Sequence, residues 1–434
     1  MLTPGQIVEL SIEKAAAGGR MLARHDGQVV LVSGVVPGER VTARIERTER
    51  RLAFASLVDL RQASPDRRQG LSDPACGGCV YSHIDYPRQL ALKADILRDA
   101  FFRLGRLPIE EEIQISPSPE RGYRTRARFH VEGARVGFYR EGTHTLCDVA
   151  ATGQVTEGAL SAVTSVVEKM TVDGASVTSA ELAESVDASE MALLLTLADA
   201  RAVQPTALAG TLHERDIKGC VVQDARGRSF EVGDPWMADP LTILTSDRVA
   251  TGELRHRPES FFQANRFLLP ELVTTVLDAA GSDGPVLDLY AGVGLFAVAL
   301  AGCGRAEITA VEGDAASGAD LEENARQSAL PLGVVTVERD SVERYLQRRS
   351  SRAVAPKTVI VDPPRTGITA EALQSILKLS APRLVYVSCD PATMARDAKR
   401  LVDGGYQLES LRGFDLFPNT PHVESLGVFS RTSA

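Results

Sequence analysis

The stretch 285-PVLDLYAGVGLFAVALAG-302 decides the fold of the larger part of this chain. The stretch begins with PVL at 285–287, which predicts a short buried strand, and its last part, LFAVALAG, predicts a helix. Gly292 and Gly294 lie between them, where residues without a side chain let the backbone turn tightly and approach a ligand closely. The order of strand, glycine-rich turn and helix is typical of a nucleoside-binding site at the edge of a parallel sheet.

An acidic residue supports this interpretation. Glu312 ends the next predicted strand, twenty residues after Gly292, where a carboxylate can accept hydrogen bonds from both hydroxyls of a ribose. The pattern does not select the cofactor, because Ala297 also completes the dinucleotide pattern G-x-G-x-x-A. A tight turn without any ligand is the alternative, and the flanking strands and the acid argue against it.

The region around this stretch repeats the same order of elements. From about residue 260, short apolar runs that end in polar residues alternate with helix-like stretches. This alternation predicts an α/β fold with a doubly wound parallel sheet, whose ligand lies beyond the carboxyl ends of the strands. The predicted strands are PVLDLY, ITAVEGD, VVTVERD, TVIVDPP and LVYVSCD.

The N-terminal half has a different pattern. Residues 1–60 hold four or five short runs of alternating apolar and polar residues between glycine-containing turns, which predicts a small β-barrel. A helix is predicted to follow Asp85 and to end at Gly105. Beyond it, β-rich segments interleaved with helices predict an α+β domain. We therefore divide the chain into 1–62 (barrel), 63–108 (a Cys-Gly-Gly-Cys loop and a linking helix), 109–250 (central α+β domain) and 251–434 (doubly wound domain).

The composition bounds the class of protein. Hydrophobic residues make up 44% of the 434 residues and charged residues 24%, which is ordinary for a soluble globular protein and excludes a disordered or collagen-like chain. No apolar run approaches the roughly 18 residues that a membrane helix needs, and the segment MLTPGQIVELSIEK lacks the pattern of a secretory signal. Six cysteines in such a chain indicate a reducing compartment. We therefore expect a cytoplasmic protein without membrane segments.

The charge is unevenly distributed. A net charge of −9 argues against general binding to nucleic acids, yet residues 40–70 and 121–140 are dense in arginine. These segments are either solvated strand faces or local contacts to a polyanion, and for each segment alone the solvated face is the simpler interpretation. Every lysine-or-arginine position in the second segment is arginine, which favours planar, two-armed contact to phosphate.

Three segments carry residues suited to chemistry. Asp362-Pro363-Pro364 follows a predicted strand, and the prolines hold the chain extended, which suits a fixed carboxylate. Cys389 follows the strand LVYVS and precedes a predicted helix, whose N-terminus is expected to lower the pKa of the thiol and favour the thiolate. Near the end of the sequence, 417-FPNTPHVE-424 places Glu424 before the last apolar run.

Together these segments resemble the RNA uracil-5 methyltransferase family, whose members form 5-methyluridine in ribosomal or transfer RNA. The family signatures Asp-Pro-Pro-Arg-x-Gly and Phe-Pro-x-Thr-x-His-Val-Glu appear at Asp362–Gly367 and Phe417–Glu424. The nucleophile segment appears at Ser388–Thr393, and Phe262–Asn265 is similar to a Phe-Gln-x-Asn stretch of the family. The resemblance covers nearly the whole chain.

The resemblance implies S-adenosylmethionine-dependent methylation of carbon 5 of a specific uridine, through a covalent adduct between a cysteine and the uracil. Carbon 5 is a poor nucleophile, so the reaction needs a thiolate that adds at carbon 6, a base and a methyl donor. Cys389 matches the thiolate and Glu424 the base. The matched donor-binding positions are Gln263, Tyr290, Leu295, Glu312, Asp340 and Asp362.

The resemblance also implies an RNA partner. The N-terminal barrel looks like the TRAM module of the family, an RNA-binding domain similar to an oligonucleotide-binding fold. The stretch Tyr123–Arg128 looks like the strand that contacts RNA in the family, with Arg124, Arg126 and Arg128 as the contact residues. We expect the target base to be flipped out of the RNA, ribosomal RNA to be the substrate in preference to transfer RNA, and the protein to be a monomer.

One part of the family pattern is incomplete. Many relatives bind a [4Fe–4S] cluster through four cysteines, and only Cys76 and Cys79 stand at such positions, because Gly70 and Thr152 occupy the other two. A degenerate site without a stable cluster is the favoured interpretation. The alternatives are no metal, or a zinc site completed by His83 and Cys147.

Two other classes of function remain open from the residues alone. The glycine pattern also fits a nicotinamide-dependent oxidoreductase, although such an enzyme has no evident use for the Asp-Pro-Pro segment. A catalytically inactive RNA-binding protein is the other alternative, and the intact pair of Cys389 and Glu424 argues against it.

Overall fold

The N-terminal part of the protein is a closed five-stranded barrel. The structure, a computed structural model, describes residues 2–70, 73–327, 330, 333–349 and 354–432. Alternate residues of the barrel strands point inward, so that Val30, Val32 and Ala43 are buried in the barrel core. The strand order is β1-β2-β3-β5-β4, which confirms the predicted barrel. The strands are β1 (Ile7–Ala15), β2 (Met21–His25), β3 (Gln28–Ser33), β4 (Arg40–Thr48) and β5 (Leu52–Gln62).

A linking helix joins the barrel to the rest of the chain. Helix α1 (Tyr86–Ala100) begins after Asp85, whose side chain makes no capping hydrogen bond, and continues as a single π-helical turn to Gly105. Its Lys93 is fully buried and forms an ion pair with Asp415, close to the end of the sequence. The linking helix is therefore packed into the C-terminal domain and does not stand apart as a spacer.

The central domain is an α+β layer, as predicted. Its seven-stranded sheet has the order β13-β12-β11-β10-β7-β8-β9, and the helices cover one face of it. The two-residue strand β6 (Ile115–Ser116) precedes this sheet in the chain but pairs with the C-terminal sheet instead. The other elements are β7 (Arg126–Glu132), β8 (Arg135–Tyr139), β9 (Leu146–Cys147), α2 (Val149–Thr152), α3 (Glu157–Val172), β10 (Val177–Glu184), β11 (Met191–Leu197), α4 (Pro205–Glu214), β12 (Gly219–Asp224) and β13 (Ser229–Gly233).

A short hairpin leads into the C-terminal domain. Strand β14 (Met237–Pro240) pairs with β15 (Glu253–His256), and α5 (Leu241–Leu244) lies between them. The hairpin is followed by an irregular segment that ends at α6 (Leu269–Ala280).

The C-terminal domain contains the predicted doubly wound sheet. Its order is β18-β17-β16-β19-β20-β22-β21-β6, and the first five strands are parallel. Buried apolar side chains form one core on each face of this sheet, under helices on both sides. The remaining elements are β16 (Val286–Leu289), α7 (Leu295–Gly302), β17 (Ile308–Glu312), α8 (Ala315–Ala325), β18 (Val335–Arg339), α9 (Val342–Arg348), β19 (Thr358–Val361), α10 (Ala370–Leu379), β20 (Arg383–Ser388), α11 (Pro391–Asp403), β21 (Tyr406–Phe414) and β22 (Glu424–Arg431).

No helix in the described part of the chain is long and apolar enough to cross a membrane.

Candidate active site

A cleft of about 630 Å³ opens at the carboxyl ends of the parallel strands, and we call it the sheet-edge cleft. Because parallel strands present their carboxyl ends at one edge, the polar residues that follow β16, β17, β19 and β20 meet there. The cleft brings together seven of the predicted site residues. They are Gln263, Tyr290, Leu295, Glu312, Asp362, Cys389 and Glu424.

The turn after β16 forms one wall of the cleft. Tyr290 adopts a left-handed backbone conformation with φ of 61°, which a residue with a side chain rarely adopts. Gly294 has φ of 95°, and a Cβ atom there would lie 2.6 Å from the side chain of Leu321. The backbone conformation therefore favours glycine at this position, and a side chain there would also have to displace Leu321 of helix α8.

The carboxylate of Glu312 is held by the backbone. Its two oxygens accept hydrogen bonds from the N–H groups of Gly292 (2.7 Å) and Asp314 (2.6 Å). Burial raises the pKa of this carboxyl, while the two N–H groups lower it. The arrangement fixes an acidic group beside the glycine turn, where the sequence predicts recognition of a ribose.

Two further carboxyl groups lie at the ends of β16 and β19. The Gln263 side chain donates a hydrogen bond to Asp362 (3.3 Å), and burial raises the pKa of Asp362 to about 7. Asp288 is fully buried within β16, and burial together with the charge of Asp362 raises its pKa to about 8. One oxygen of Asp288 accepts from the N–H of Ala297 (3.1 Å), and the other has no hydrogen-bond partner among the described residues.

Cys389 differs in one respect from the expectation. Burial, followed by the nearby charge of Glu424, raises the pKa of the thiol to about 11, while Arg365 acts in the opposite direction. The expected lowering by the helix N-terminus is therefore wrong. Helix α11 begins after Asp390, whose side chain caps it by accepting from Thr393 N–H (2.8 Å). The pKa of the thiol is raised first by burial and then by the neighbouring charge of Glu424.

Glu424 lies at the start of β22, close to Asp362. Burial and the charge of Asp362 raise the pKa of Glu424 well above its usual range, and Arg365 opposes this. Arg365 is the one basic side chain among the described residues that line the cleft. The site therefore combines a thiol and several carboxyl groups with little positive charge.

The segment before Glu424 is tied to the linking helix. Asn419 has φ of 64°, and its side-chain oxygen accepts from Arg68 (2.8 Å) and Gln89 (3.0 Å). Its own N–H donates to the Gln89 side chain (2.9 Å), and Lys93 donates to the carbonyl of Phe417 (3.2 Å). These contacts explain physically why the second signature segment adopts a fixed loop.

Asp340 is not among the residues that line the cleft. It follows β18 and forms an ion pair with Arg348 (3.1 Å), and it accepts from the N–H of Ser341 (2.9 Å). Its predicted role in donor binding therefore has no support from the shape of the cleft.

The three predicted RNA-contacting arginines have different surroundings. Arg128 is 62% exposed, and its nearest carboxylate is that of Glu181 at 3.6 Å. Arg124 is engaged within the protein, because it donates to the side chain of Gln154 (2.7 Å) and lies 5.7 Å from the centre of the Phe417 ring. Arg126 donates to two backbone carbonyls of the segment before Gln263.

The Cys-Gly-Gly-Cys loop does not match a cluster site. Cys76 is joined by a disulfide to Cys147, with their Cα atoms 5.7 Å apart, and this links the loop to β9. Thr152 is buried, and its hydroxyl donates to the carbonyl of Val149 (2.7 Å). His83 lies against the barrel, with its Nε2 atom 3.2 Å from the carbonyl oxygen of Val35. Because Gly70 and Thr152 carry no thiol, the residues present do not fit the four-thiolate site of the family. Within the described residues no group of three or more His, Cys, Asp or Glu side chains is arranged to hold a metal ion, so the zinc alternative stays untested.

Two buried carboxylates that organise the site, Asp288 and Asp320, are not among the site residues predicted from sequence. Asp288 is a charged residue within an apolar predicted strand, and that signal could have identified it. Asp320 on α8 is fully buried and accepts hydrogen bonds from the N–H and Nε of Arg257 (3.0 Å each) and from the hydroxyl of Ser260 (2.5 Å). No local sequence pattern reveals the role of Asp320, because its partners are 60 or more residues away.

Comparison with known proteins gives a consistent result. The sequence profile of a family described as tRNA (uracil-5-)-methyltransferase matches residues 191–432, and that of the TRAM domain matches residues 2–58. A 23S rRNA (uracil(1939)-C(5))-methyltransferase of Pseudomonas putida is 32% identical, over 98% of this chain and 94% of the relative. An uncharacterized RNA methyltransferase of Thermotoga maritima is 30% identical, over 96% of this chain and 97% of the relative. The crystal structure of the Pyrococcus abyssi tRNA (uracil-54, C5)-methyltransferase has the same fold, with a TM-score of 0.75, 24% identity and coverage of 97% of this chain and 99% of that one.

Proposed function

Because this chain belongs to the tRNA (uracil-5-)-methyltransferase family and is an S-adenosylmethionine-dependent RNA uracil-5 methyltransferase, we propose that Cys389 and Glu424 perform the transfer through a covalent adduct on a uridine of ribosomal RNA. The observation that carries this proposal is that the thiol and the carboxyl line one cleft, close enough for the charge of Glu424 to raise the pKa of Cys389.

Each of the two side chains has one task in the reaction: Cys389 forms a bond to the uracil, and Glu424 accepts a proton from it. The thiolate of Cys389 adds to carbon 6 of the uracil, which places electron density on carbon 5. S-adenosylmethionine, when bound, would supply an electrophilic methyl group to carbon 5; the bond between that methyl and the sulfur would break, leaving neutral S-adenosylhomocysteine. Glu424 in its carboxylate form, which the nearby Arg365 favours, then removes the proton from carbon 5. The bond between carbon 6 and the sulfur of Cys389 breaks, which restores the thiolate.

The electrostatics of the cleft favour a cationic donor. Asp288, Glu312, Asp362 and Glu424 each have a raised pKa, because burial and mutual repulsion disfavour their charged forms. A bound sulfonium would relieve this repulsion, whereas the pyrophosphate of a nicotinamide cofactor would add to it. The charge of the cleft thus supports the methyl donor and weighs against the oxidoreductase alternative.

A bound cation also offers a route to the reactive thiolate. With the pKa of Cys389 at about 11, the thiol is nearly all protonated near neutral pH in the protein without ligands. Positive charge in the cleft lowers the pKa of a neighbouring thiol. A bound cationic donor would therefore favour the thiolate form of Cys389.

The choice of ribosomal RNA rests on the relatives. Two relatives at 32% identity, from Pseudomonas putida and Halomonas elongata, are named for 23S rRNA. The Pyrococcus enzyme named for tRNA shares the fold at lower identity. The exposed Arg128 and the TRAM barrel are the surfaces on which we expect the RNA to bind.

The test is a map of 5-methyluridine across total RNA. A strain that lacks this protein is compared with strains complemented by the wild type and by Cys389→Ala. We expect one site in ribosomal RNA to lose the modification and only the wild type to restore it. Loss confined to transfer RNA would refute the ribosomal substrate, and unchanged 5-methyluridine in every RNA would refute the proposed function.

A further inference from the structure

We propose that Arg126 is a positioning residue of the active site, which holds the segment carrying Gln263 against the cleft, and that it is not a contact to RNA phosphate. We call residues 257–263 the Gln263 segment. This inference rests on the proposed function only in taking the sheet-edge cleft as the site of methyl transfer.

The hydrogen bonds of Arg126 are directed at backbone. It is the first residue of β7, and its two Nη atoms donate to the carbonyl oxygens of Arg257 (3.3 Å) and Pro258. Among the described residues no carboxylate forms an ion pair with it within 4.0 Å, although Glu181 and Glu259 are near enough to attract it. Both arms of the guanidinium are therefore committed to the start of the Gln263 segment.

The rest of the Gln263 segment is held by neighbours of Arg126. The N–H of Thr125 donates to the carbonyl of Ala264 (2.9 Å), and its hydroxyl donates to the carbonyl of Gln263 (3.3 Å). On the other side, Asp320 accepts from Arg257 and Ser260. The segment is thus clamped between β7 of the central domain and α8 of the C-terminal domain, and Arg126 makes the contacts at its beginning.

The segment delivers several groups to the cleft. Gln263 donates to Asp362, and Glu259 and Phe261 also line the cleft. Loss of Arg126 would leave the carbonyls of Arg257 and Pro258 without their donor and release the start of the segment. A misplacement of about 1 Å at a reacting centre can cost about 100-fold in rate, so displacement of Gln263 should reduce turnover strongly.

Arg128 provides a matched control. It lies two residues further along the same strand and therefore on the same face of the sheet, yet its side chain is 62% exposed and its ion-pair partner among the described residues is Glu181 at 3.6 Å. A phosphate contact is open to Arg128, while Arg126 would have to give up its backbone partners to make one.

The experiment compares Arg126→Gln with Arg128→Gln in the full chain. Titration with S-adenosylhomocysteine is followed by calorimetry, RNA affinity is measured as a function of salt, and kcat is measured with saturating RNA and donor. For Arg126→Gln we expect kcat to fall at least about tenfold, donor-product affinity to weaken, and the salt slope of RNA binding to be unchanged. For Arg128→Gln we expect unchanged S-adenosylhomocysteine affinity and a salt slope lower by about 0.7–0.9 for each phosphate that the variant no longer neutralises.

Two further variants separate positioning from a general loss of structure. Arg126→Lys keeps the charge that a phosphate needs but not the planar two-armed geometry, so we expect it to leave RNA binding intact and kcat low. In a Gln263→Ala background, Arg126→Gln should cost no more than about twofold in kcat, because the two residues act through the same contact. If Arg126→Gln is too unstable to assay, the Lys variant carries the comparison.

The outcomes that overturn the proposal are specific. It is wrong if Arg126→Gln lowers the salt slope as Arg128→Gln does while kcat and S-adenosylhomocysteine affinity are kept. It is also wrong if Arg126→Lys has the full wild-type kcat. A third contradiction would be that Arg126→Gln lowers kcat by the same factor in the Gln263→Ala background as in the wild type. Failure of the proposed ribosomal substrate would leave the calorimetric comparison intact, so the two failures are distinguishable.

Discussion

The buried ion pair between Lys93 and Asp415 offers a direct test of how much the linking helix contributes to the stability of the C-terminal domain. Both side chains are fully buried, and Lys93 also donates to the carbonyl of Phe417 (3.2 Å). The change Lys93→Met keeps most of the side-chain length but removes the cation, so Asp415 is left as a buried charge without its partner. Breaking a buried pair in this way costs about 3–5 kcal/mol.

That cost should be visible in thermal unfolding. At about 2–4 °C per kcal/mol, which applies to domains of 150–250 residues, the expected drop in the melting temperature of the C-terminal domain is roughly 6–20 °C. Calorimetry of the full chain measures this drop. The control is the double variant Lys93→Met/Asp415→Leu, in which both charges are gone, and replacing a buried pair by apolar residues is often neutral or stabilising.

The two variants together separate the effect of charge from that of packing. We expect the double variant to recover most of the melting temperature that the single variant loses. A Lys93→Met protein as stable as the wild type would show that the pair contributes nothing. A double variant as unstable as the single one would show that the loss comes from packing of the lysine stem and not from the orphaned charge.

Other expected outcomes follow from the site itself. Cys389→Ala should abolish methyl transfer and the covalent adduct with RNA that contains 5-fluorouridine, with S-adenosylhomocysteine affinity kept within a few-fold, and an adduct that persists in the variant would contradict the assignment. Glu424→Gln should accumulate covalent enzyme–RNA because the proton on carbon 5 is not removed, and turnover at the wild-type rate would point to another base. Because burial raises the pKa of Cys389 to about 11, its alkylation by iodoacetamide in the protein without ligands should keep accelerating above pH 9, while a plateau at pH 8 would contradict the raised pKa. Anaerobically purified protein should contain iron well below one atom per chain, and Cys76→Ser should retain activity; about four irons per chain would refute the expectation of a degenerate site.

The fold could be predicted from local sequence because its signals are local. The strand, the glycine turn and the helix all lie within one short stretch. The structure has the strand at Val286–Leu289, within the predicted run PVLDLY, and the helix at Leu295–Gly302. The meeting of Glu312, Asp362 and Cys389 also follows from strand order, since each residue stands at the end of a parallel strand.

What could not be predicted depends on distant partners. The tie between Arg126 and Pro258 spans 132 positions in the chain, and no spacing rule connects them. The sequence predicts the wrong direction for the pKa shift of Cys389, because the helix N-terminus is visible in the sequence while the burial and the charge of Glu424 arise only in the folded chain. Asp340 matches a donor-binding position of the family by motif alone and is not among the residues that line the cleft, so its role stays a prediction.

The distance in sequence between Lys93 and Asp415 has a consequence for how this protein is made. Asp415 follows Lys93 by 322 residues, and a ribosome that adds about 5–20 residues per second needs about 15–65 seconds to supply it. During that interval Lys93 of the linking helix has no counter-charge, and β6 lacks its pairing partner β21. The N-terminal barrel can fold as soon as it has been made. The loop before Glu424 can be fixed in place only after the last strands of the C-terminal sheet have been made. Slowing translation after residue 93 should therefore prolong the exposure of this helix to proteases and chaperones without changing the final enzyme.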